Sequence, residues 1–346
     1  MRKLLILIAF VFTMAVPVSA LEITAPPVPD SGKSFMPDSG EGFFDGMISI
    51  LRNGLMTIRP DLKEAMKICI TAATSVMVLS VLRLLPAMKT RAADITGVVA
   101  IAATLLQSTN SLINLGVRTV SEISGYGKML VPVMTSALAA QGGISSSAAL
   151  YAGTAAFDAV LCGLIENLLV PMIYVFLALC SACAAVGEDI LKGLRDMVKS
   201  AMVWLLKNLL YVFTGFISIT GVVSGSTDAA ALKAAKLTIS GVVPVVGGIL
   251  SDASEAVLVS AGTVKNAAGI YGMLAVIAIW IGPFLKIGLH YLLLKLTGAV
   301  CAIFGSKEMS GLVGDFSSAM GMLLAMTGSV CLMLMISLVC FMRGVG

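Results

Sequence analysis

The sequence predicts an all-α polytopic membrane protein, with about seven transmembrane helices plus two broken or re-entrant segments. Three observations carry this. Hydrophobic residues make up 58% of the 346-residue chain and charged residues only 12%, about half of what a soluble domain uses to cover its surface. Mean hydropathy is +1.01. Uncharged apolar runs recur at 95–117, 167–187, 267–285 and 316–342, and about 20 such residues cross a bilayer as a helix.

From the N-terminus, Arg2 and Lys3 precede an apolar run, Leu4 to Val16, and Val18-Ser19-Ala20 supplies small residues. That order is the signature of a secretory signal. Residues 1–20 are therefore expected to be a signal peptide cleaved after Ala20, the alternative being an uncleaved anchor. Residues 21–42 hold Pro26, Pro27, Pro29 and Pro37 and read as a flexible extracytoplasmic segment. Residues 43–60 read as an amphipathic helix ended by Pro60. Phe44, Met47, Ile48, Leu51, Leu55 and Ile58 fall on one face, and Asp45, Ser49, Arg52, Asn53 and Arg59 on the other. Such a helix lies on the membrane surface, docks on a partner, or packs on the protein's own bundle.

Residues 61–346 form the multi-span domain. To the four uncharged runs are added 68–85, where Lys67 just before it and Arg83 near its end can reach the interface, and 200–223, whose Lys207 is near enough to an end to snorkel. The last is 287–306, apolar except for His290 and Lys295. Two further stretches are apolar but interrupted. Residues 129–157 contain Pro132, Gly142 and Gly143, and residues 237–262 contain Pro244, Gly247, Gly248, Ser251 and Asp252. Pro and Gly-Gly free backbone groups that lipid does not satisfy. Each stretch reads as a pore-facing broken helix, a re-entrant hairpin, or two helices joined by a tight turn. Their partial likeness to each other is the pattern of a transporter-type repeat.

A signal peptide places residue 21 outside. Seven crossings then put Lys89, Arg91, Lys192, Arg195, Lys199 and Arg343 in the cytoplasm, as the positive-inside rule asks, although Lys233, Lys236 and Lys265 fall outside. Charges within apolar surroundings are costly and need a purpose or a partner. The candidates are Asp158, Glu166 and Lys295, with a Glu166–Lys295 pair as one arrangement and an interfacial location as the other. Small residues allow helices to approach closely. Ser317, Gly321, Ala325 and Ser329 repeat every four residues, and Gly221 and Gly225 form a G-x-x-x-G.

Several function classes are disfavoured. The net charge is only +4 and no long basic run exists, which argues against nucleic acid as a partner. The seven cysteines lie in apolar stretches. The Cys180–Cys183 C-x-x-C therefore reads as packing rather than redox chemistry. His290 has no second histidine with which to hold a metal. No nucleotide-binding, zinc-protease or serine-hydrolase motif is present. No enzymatic activity, metal or cofactor is expected.

One block is more specific. Lys236-Leu237-Thr238-Ile239-Ser240 is followed by Val243-Pro244-Val245-Val246-Gly247-Gly248, Ser251-Asp252-Ala253 and Val264-Lys265-Asn266-Ala267-Ala268-Gly269. With Pro132-Val133-Met134 and Gly142-Gly143-Ile144-Ser145-Ser146, it resembles the stage III sporulation protein AE family of endospore-forming bacteria, over about residues 45–340. The resemblance implies a membrane component of a channel or secretion-like complex linking mother cell and forespore, required for continued forespore development. It implies the mother-cell-derived outer forespore membrane as its location. The implied partners are the other membrane and ring-forming proteins of its operon, the operon's cytoplasmic ATPase and, indirectly, stage II sporulation protein Q. It implies no catalytic residues. The alternative drawn from the residues is a stand-alone secondary transporter of small solutes.

Overall fold

A computed structural model describes residues 25–37, 42–82, 91–186, 189–242, 247–304 and 307–343. The expected signal peptide and Pro244 lie outside the described residues. Every regular element among them is helical. A short helix α1 (Asp30–Lys33) is followed by α2 (Phe43–Thr57), α3 (Arg59–Leu82), α4 (Arg91–Ala140) and α5 (Ile144–Leu164). A five-residue π-helical turn (Ile165–Leu169) joins α5 to α6 (Val170–Val186). Then come α7 (Asp189–Val242), α8 (Gly247–Phe304) and α9 (Lys307–Arg343).

Six helical stretches among the described residues are long and apolar enough to cross a bilayer: Arg59–Leu82, Ile95–Ala140, Ile144–Val186, Leu191–Thr220, Lys265–Ile303 and Lys307–Arg343. Their outward side chains are large and apolar, as with Ile70, Val81, Trp204, Val212, Ile219, Leu296 and Ile303. Lipid solvates such a surface and water does not. The sequence counts 267–285 and 287–306 as two spans. The structure joins them in α8, with Pro283 inside the helix. Neighbouring side chains and adjacent helices let a membrane helix tolerate such a proline.

This merger changes the sidedness of the C-terminus. Six antiparallel passes bring Met342 over Gly269 beside Met134, at the end where Gly46 of α2 rests on Leu274. Arg343 thus shares an end with the N-terminal segment and lies opposite Lys192, Arg195 and Lys199. The expectation that it sits with them fails because an even number of passes replaces an odd one.

The helices α4, α7 and α8 contain 50, 54 and 58 residues. At 1.5 Å per residue they run about 75–87 Å, against a hydrocarbon core of about 30 Å. At ordinary tilts each projects well beyond the bilayer. Helices α8 and α9 form the centre. The α1–α3 segment covers one side of α8, and α4–α7 surround α9.

The N-terminal region departs from expectation. Residues 25–37 are packed: Val28 is buried, and Gly32 lets α1 press against Ile279 of α8. On α1 the Lys33 ammonium donates to Asp30 at 2.6 Å and holds its carboxyl below the usual range. Helix α2 ends at Thr57, and Pro60 falls in the first turn of α3, where a proline costs no hydrogen bond. On α2 it is Gly46, Ile50 and Gly54 that meet Leu274, Ile281 and Leu285 of α8. Phe44, Met47, Ile48, Leu51 and Leu55 point outward.

The first interrupted stretch is a tight turn between two long helices. Pro132 lies inside continuous α4, and the chain reverses only at Gln141-Gly142-Gly143. Gly142 has φ 93°. Its N–H donates to the Ala139 carbonyl at 2.9 Å, and that of Gly143 donates to Leu138 at 3.1 Å. These two bonds make a Schellman cap, which satisfies the helix-end carbonyls. No unwound segment remains there. Gly142→Ala places a β-carbon in the left-handed region, so a loss of about 1–2 kcal/mol is expected. Thermal unfolding in detergent reads this, and an unchanged midpoint would contradict the assignment. In the second stretch α7 ends at Val242 and α8 begins at Gly247, so Gly247, Gly248, Ser251 and Asp252 have helical backbone. Their side-chain surroundings, like those of Gly221 and Gly225 in α7, lie outside what is described.

Candidate functional site

The α4–α5 hairpin assembles a polar cleft in which Pro132 and Asp158, singled out in the sequence for separate reasons, meet. Its lining is Gly127, Lys128, Val131 and Pro132 from α4, Tyr151, Thr154, Ala155 and Asp158 from α5, and Leu334 from α9, around about 90 Å³. Asp158 accepts a hydrogen bond from the Ser124 hydroxyl at 2.6 Å and faces the Cys162 thiol at 3.7 Å. Thr154 donates to the Ser337 hydroxyl of α9 at 3.0 Å, and Ser337 in turn donates to the Met333 carbonyl at 3.1 Å. Both hydroxyls are buried. Without these bonds each would be an unsatisfied polar group in an apolar interior.

Pro132 contributes through what it lacks. Having no N–H, it leaves the Lys128 carbonyl without its helical partner, and both residues line the cleft. Lys128 and Asp158 carry opposite charges on the same cavity without forming an ion pair. A carboxylate, an ammonium, hydroxyls and a proline-freed carbonyl around this volume suit water or a small polar solute.

Ser124, Lys128, Tyr151 and Thr154 were not picked out in the sequence. A signal existed. With the turn centred on Gln141-Gly142, residues equally far on either side face each other, and 124 and 158 are each 17 positions from 141. The sequence reading left the Gly142-Gly143 break open among three conformations, so this pairing was not used.

The other intramembrane charges stay apart. Glu166 is exposed in the π-helical turn, beside Asn167, whose amide donates to Gly163 at 3.0 Å. Lys295 lies 5.6 Å from the centre of the Tyr291 ring, a cation–π arrangement. The two do not pair. Instead α7 is tied to α9 by Arg195–Asp315 at 2.9 Å, and α8 to α3 by Lys286–Asp61 at 2.9 Å and Lys286–Glu64 at 3.2 Å.

The small-residue row divides between two surroundings. Ser317 donates to the Tyr291 carbonyl of α8 at 2.8 Å, and Gly321 faces the Tyr291 ring. Ala325 and Ser329 line a groove toward α7. A close backbone approach between α8 and α9 falls elsewhere. Gly298 sits against Gly314, and Ser310 donates to the Gly298 carbonyl at 2.8 Å.

Six apolar passes, an apolar exterior and a polar cleft between long helices, among the described residues, define a multi-pass helical membrane protein. The family profile of Stage III sporulation protein AE matches residues 49–344, a range that contains the whole cleft. The chain belongs to the stage III sporulation protein AE family, and its role is in sporulation. Among curated proteins it is similar to Stage III sporulation protein AE of Bacillus subtilis (strain 168), at 26% identity over 234 residues. The alignment covers 67% of this chain and 58% of that relative. No solved structure matches it.

Proposed function

We propose that this chain is a membrane subunit of the channel or secretion-like complex that links mother cell and forespore, and that it is required for continued forespore development. The observation that carries the reading is family membership over residues 49–344 in a bundle whose longest helices outreach a bilayer. Such helices present surface beyond the lipid for assembly. The chain works by assembly rather than by catalysis. Its partners are the other stage III membrane and ring-forming proteins, the operon ATPase and, indirectly, stage II sporulation protein Q. It sits in the mother-cell-derived outer forespore membrane, with the end bearing Lys192, Arg195 and Lys199 in the cytoplasm. Under this reading the N-terminal segment and Arg343 both face the intermembrane space.

The test is genetic and biochemical. An endospore former lacking this gene should complete engulfment and then stop, and the chain should co-purify with its operon neighbours. Normal spores from the deletion strain would reject the reading. The polar cleft favours a second reading, a stand-alone transporter of small solutes. Solute uptake by the purified chain alone in vesicles would support that one. The expected result is no uptake.

A further inference from the structure

We propose that the groove between α7 and α9 binds an anionic phospholipid, with the phosphate on Lys207 and an acyl chain along the apolar walls. The groove measures about 360 Å³. Met202, Val203, Leu206 and Leu210 line one wall, and Met322, Met326 and Leu332 the other. Its floor is Ala325, Gly328 and Ser329, shallow enough for a thin chain. The Ser329 hydroxyl is turned into its own helix and donates to the Ala325 carbonyl at 2.6 Å. The floor is therefore apolar in effect.

The one charge in the lining is Lys207. It is exposed, and no carboxylate among the described residues lies within ion-pair distance of it. A lone ammonium against an apolar wall is costly in a bilayer and calls for an anion. Both walls belong to candidate membrane spans, so the molecules that reach the groove are lipids.

Geometry selects the headgroup. Helical side chains lean toward the N-terminus of their helix, so the Lys207 stem leans toward Lys199, eight residues and about 12 Å away along α7. Lys199 donates to Ser318 at 3.2 Å, at the helix end where Arg195 is paired with Asp196 and Asp315. The end of the groove at Met202 and Met322 faces the Lys199 end of α7, and the Lys207 ammonium leans toward that same end along the apolar trough. A single unpaired cation at one side of an apolar trough matches a phosphate followed by an acyl chain, since one lysine near the membrane surface attracts an acidic headgroup. The match is charge complementarity joined to an apolar trough.

The experiment uses the full chain in phosphatidylcholine vesicles doped with photoreactive phosphatidylglycerol or, in parallel, photoreactive phosphatidylcholine. Labelled peptides are mapped by mass spectrometry. Phosphatidylglycerol should label 202–210 and 322–332 about fivefold more than phosphatidylcholine, the effect of one basic residue at an anionic surface. Lys207→Met should reduce that labelling to the phosphatidylcholine level, and Lys207→Arg should keep it. Added inorganic phosphate should not compete. Equal labelling of the wild-type protein by both lipids would overturn the proposal, with no need for a variant. So would a preference that survives Lys207→Met, or labelling abolished by inorganic phosphate. Crosslinking of the groove to another polypeptide in native membranes, in place of lipid, would also overturn it.

Discussion

Gly298→Leu is expected to remove most of the folded protein from the membrane. A β-carbon at Gly298 already lies 3.4 Å from the Gly314 nitrogen and 3.5 Å from the Ser310 carbonyl oxygen. Both are backbone atoms, so neither moves without shifting the whole of α9. Leucine adds three further carbons at that point. The helices must separate and the Ser310–Gly298 hydrogen bond is lost. A cost of about 3 kcal/mol, the upper part of the range for overpacking, follows. Gly298→Ala should be far milder. Gly193→Leu is the control, because nothing lies within 4 Å of a β-carbon there. Membrane abundance and the unfolding midpoint in detergent report the effect. If Gly298→Leu and Gly193→Leu behave alike, the close approach of α8 and α9 is refuted.

Arg195→Ala is the second large effect. The guanidinium holds Asp315 at 2.9 Å and Asp196 at 2.9 Å, and the Arg195 and Asp315 side chains are only 22% and 18% exposed. Removing the arginine strands a mostly buried carboxylate. Full burial makes such a loss about 3–5 kcal/mol, and this partial exposure brings it to about 2–3 kcal/mol. Replacing both partners, as Arg195→Met with Asp315→Leu, should recover most of the loss, because no unpaired charge remains. A double variant whose loss equals the sum of the two single variants would show that the pair is not coupled.

The cleft shows how far sequence reasoning reached. Pro132 drew attention as a helix breaker and Asp158 as a charge in an apolar run. Their meeting in one cavity depends on where the chain reverses. The Schellman turn at Gly142 sets that register, and the register puts Ser124 opposite Asp158. The Glu166–Lys295 pair failed for the same reason. Both residues stand out in the sequence as charges within apolar runs, but residue type does not say which helices become neighbours. Arg195–Asp315 and Lys286–Asp61 are likewise invisible until the helices are docked.

Helix α2 shows which residues a helix in apolar surroundings turns toward its neighbour. Its periodicity marks Phe44, Met47, Ile48, Leu51 and Leu55 as one apolar side. In a soluble protein that side would turn to the core. Here Gly46, Ile50 and Gly54 turn inward, because close contact between helices in apolar surroundings comes from small residues rather than from hiding large ones.

By itself, the sequence determined that this chain lives in a membrane, that it is helical, and that Gly142-Gly143 is a place where it can turn. Those follow from local quantities: too little charge for water, runs long enough for lipid, and backbone preferences residue by residue. Tertiary structure decided that residues 267–304 form part of one helix, that both ends of the bundle's described chain emerge on the same side, and which polar groups share a cleft. Those depend on contacts between positions far apart in the chain, and an apolar run carries no mark of whether lipid or protein will cover it.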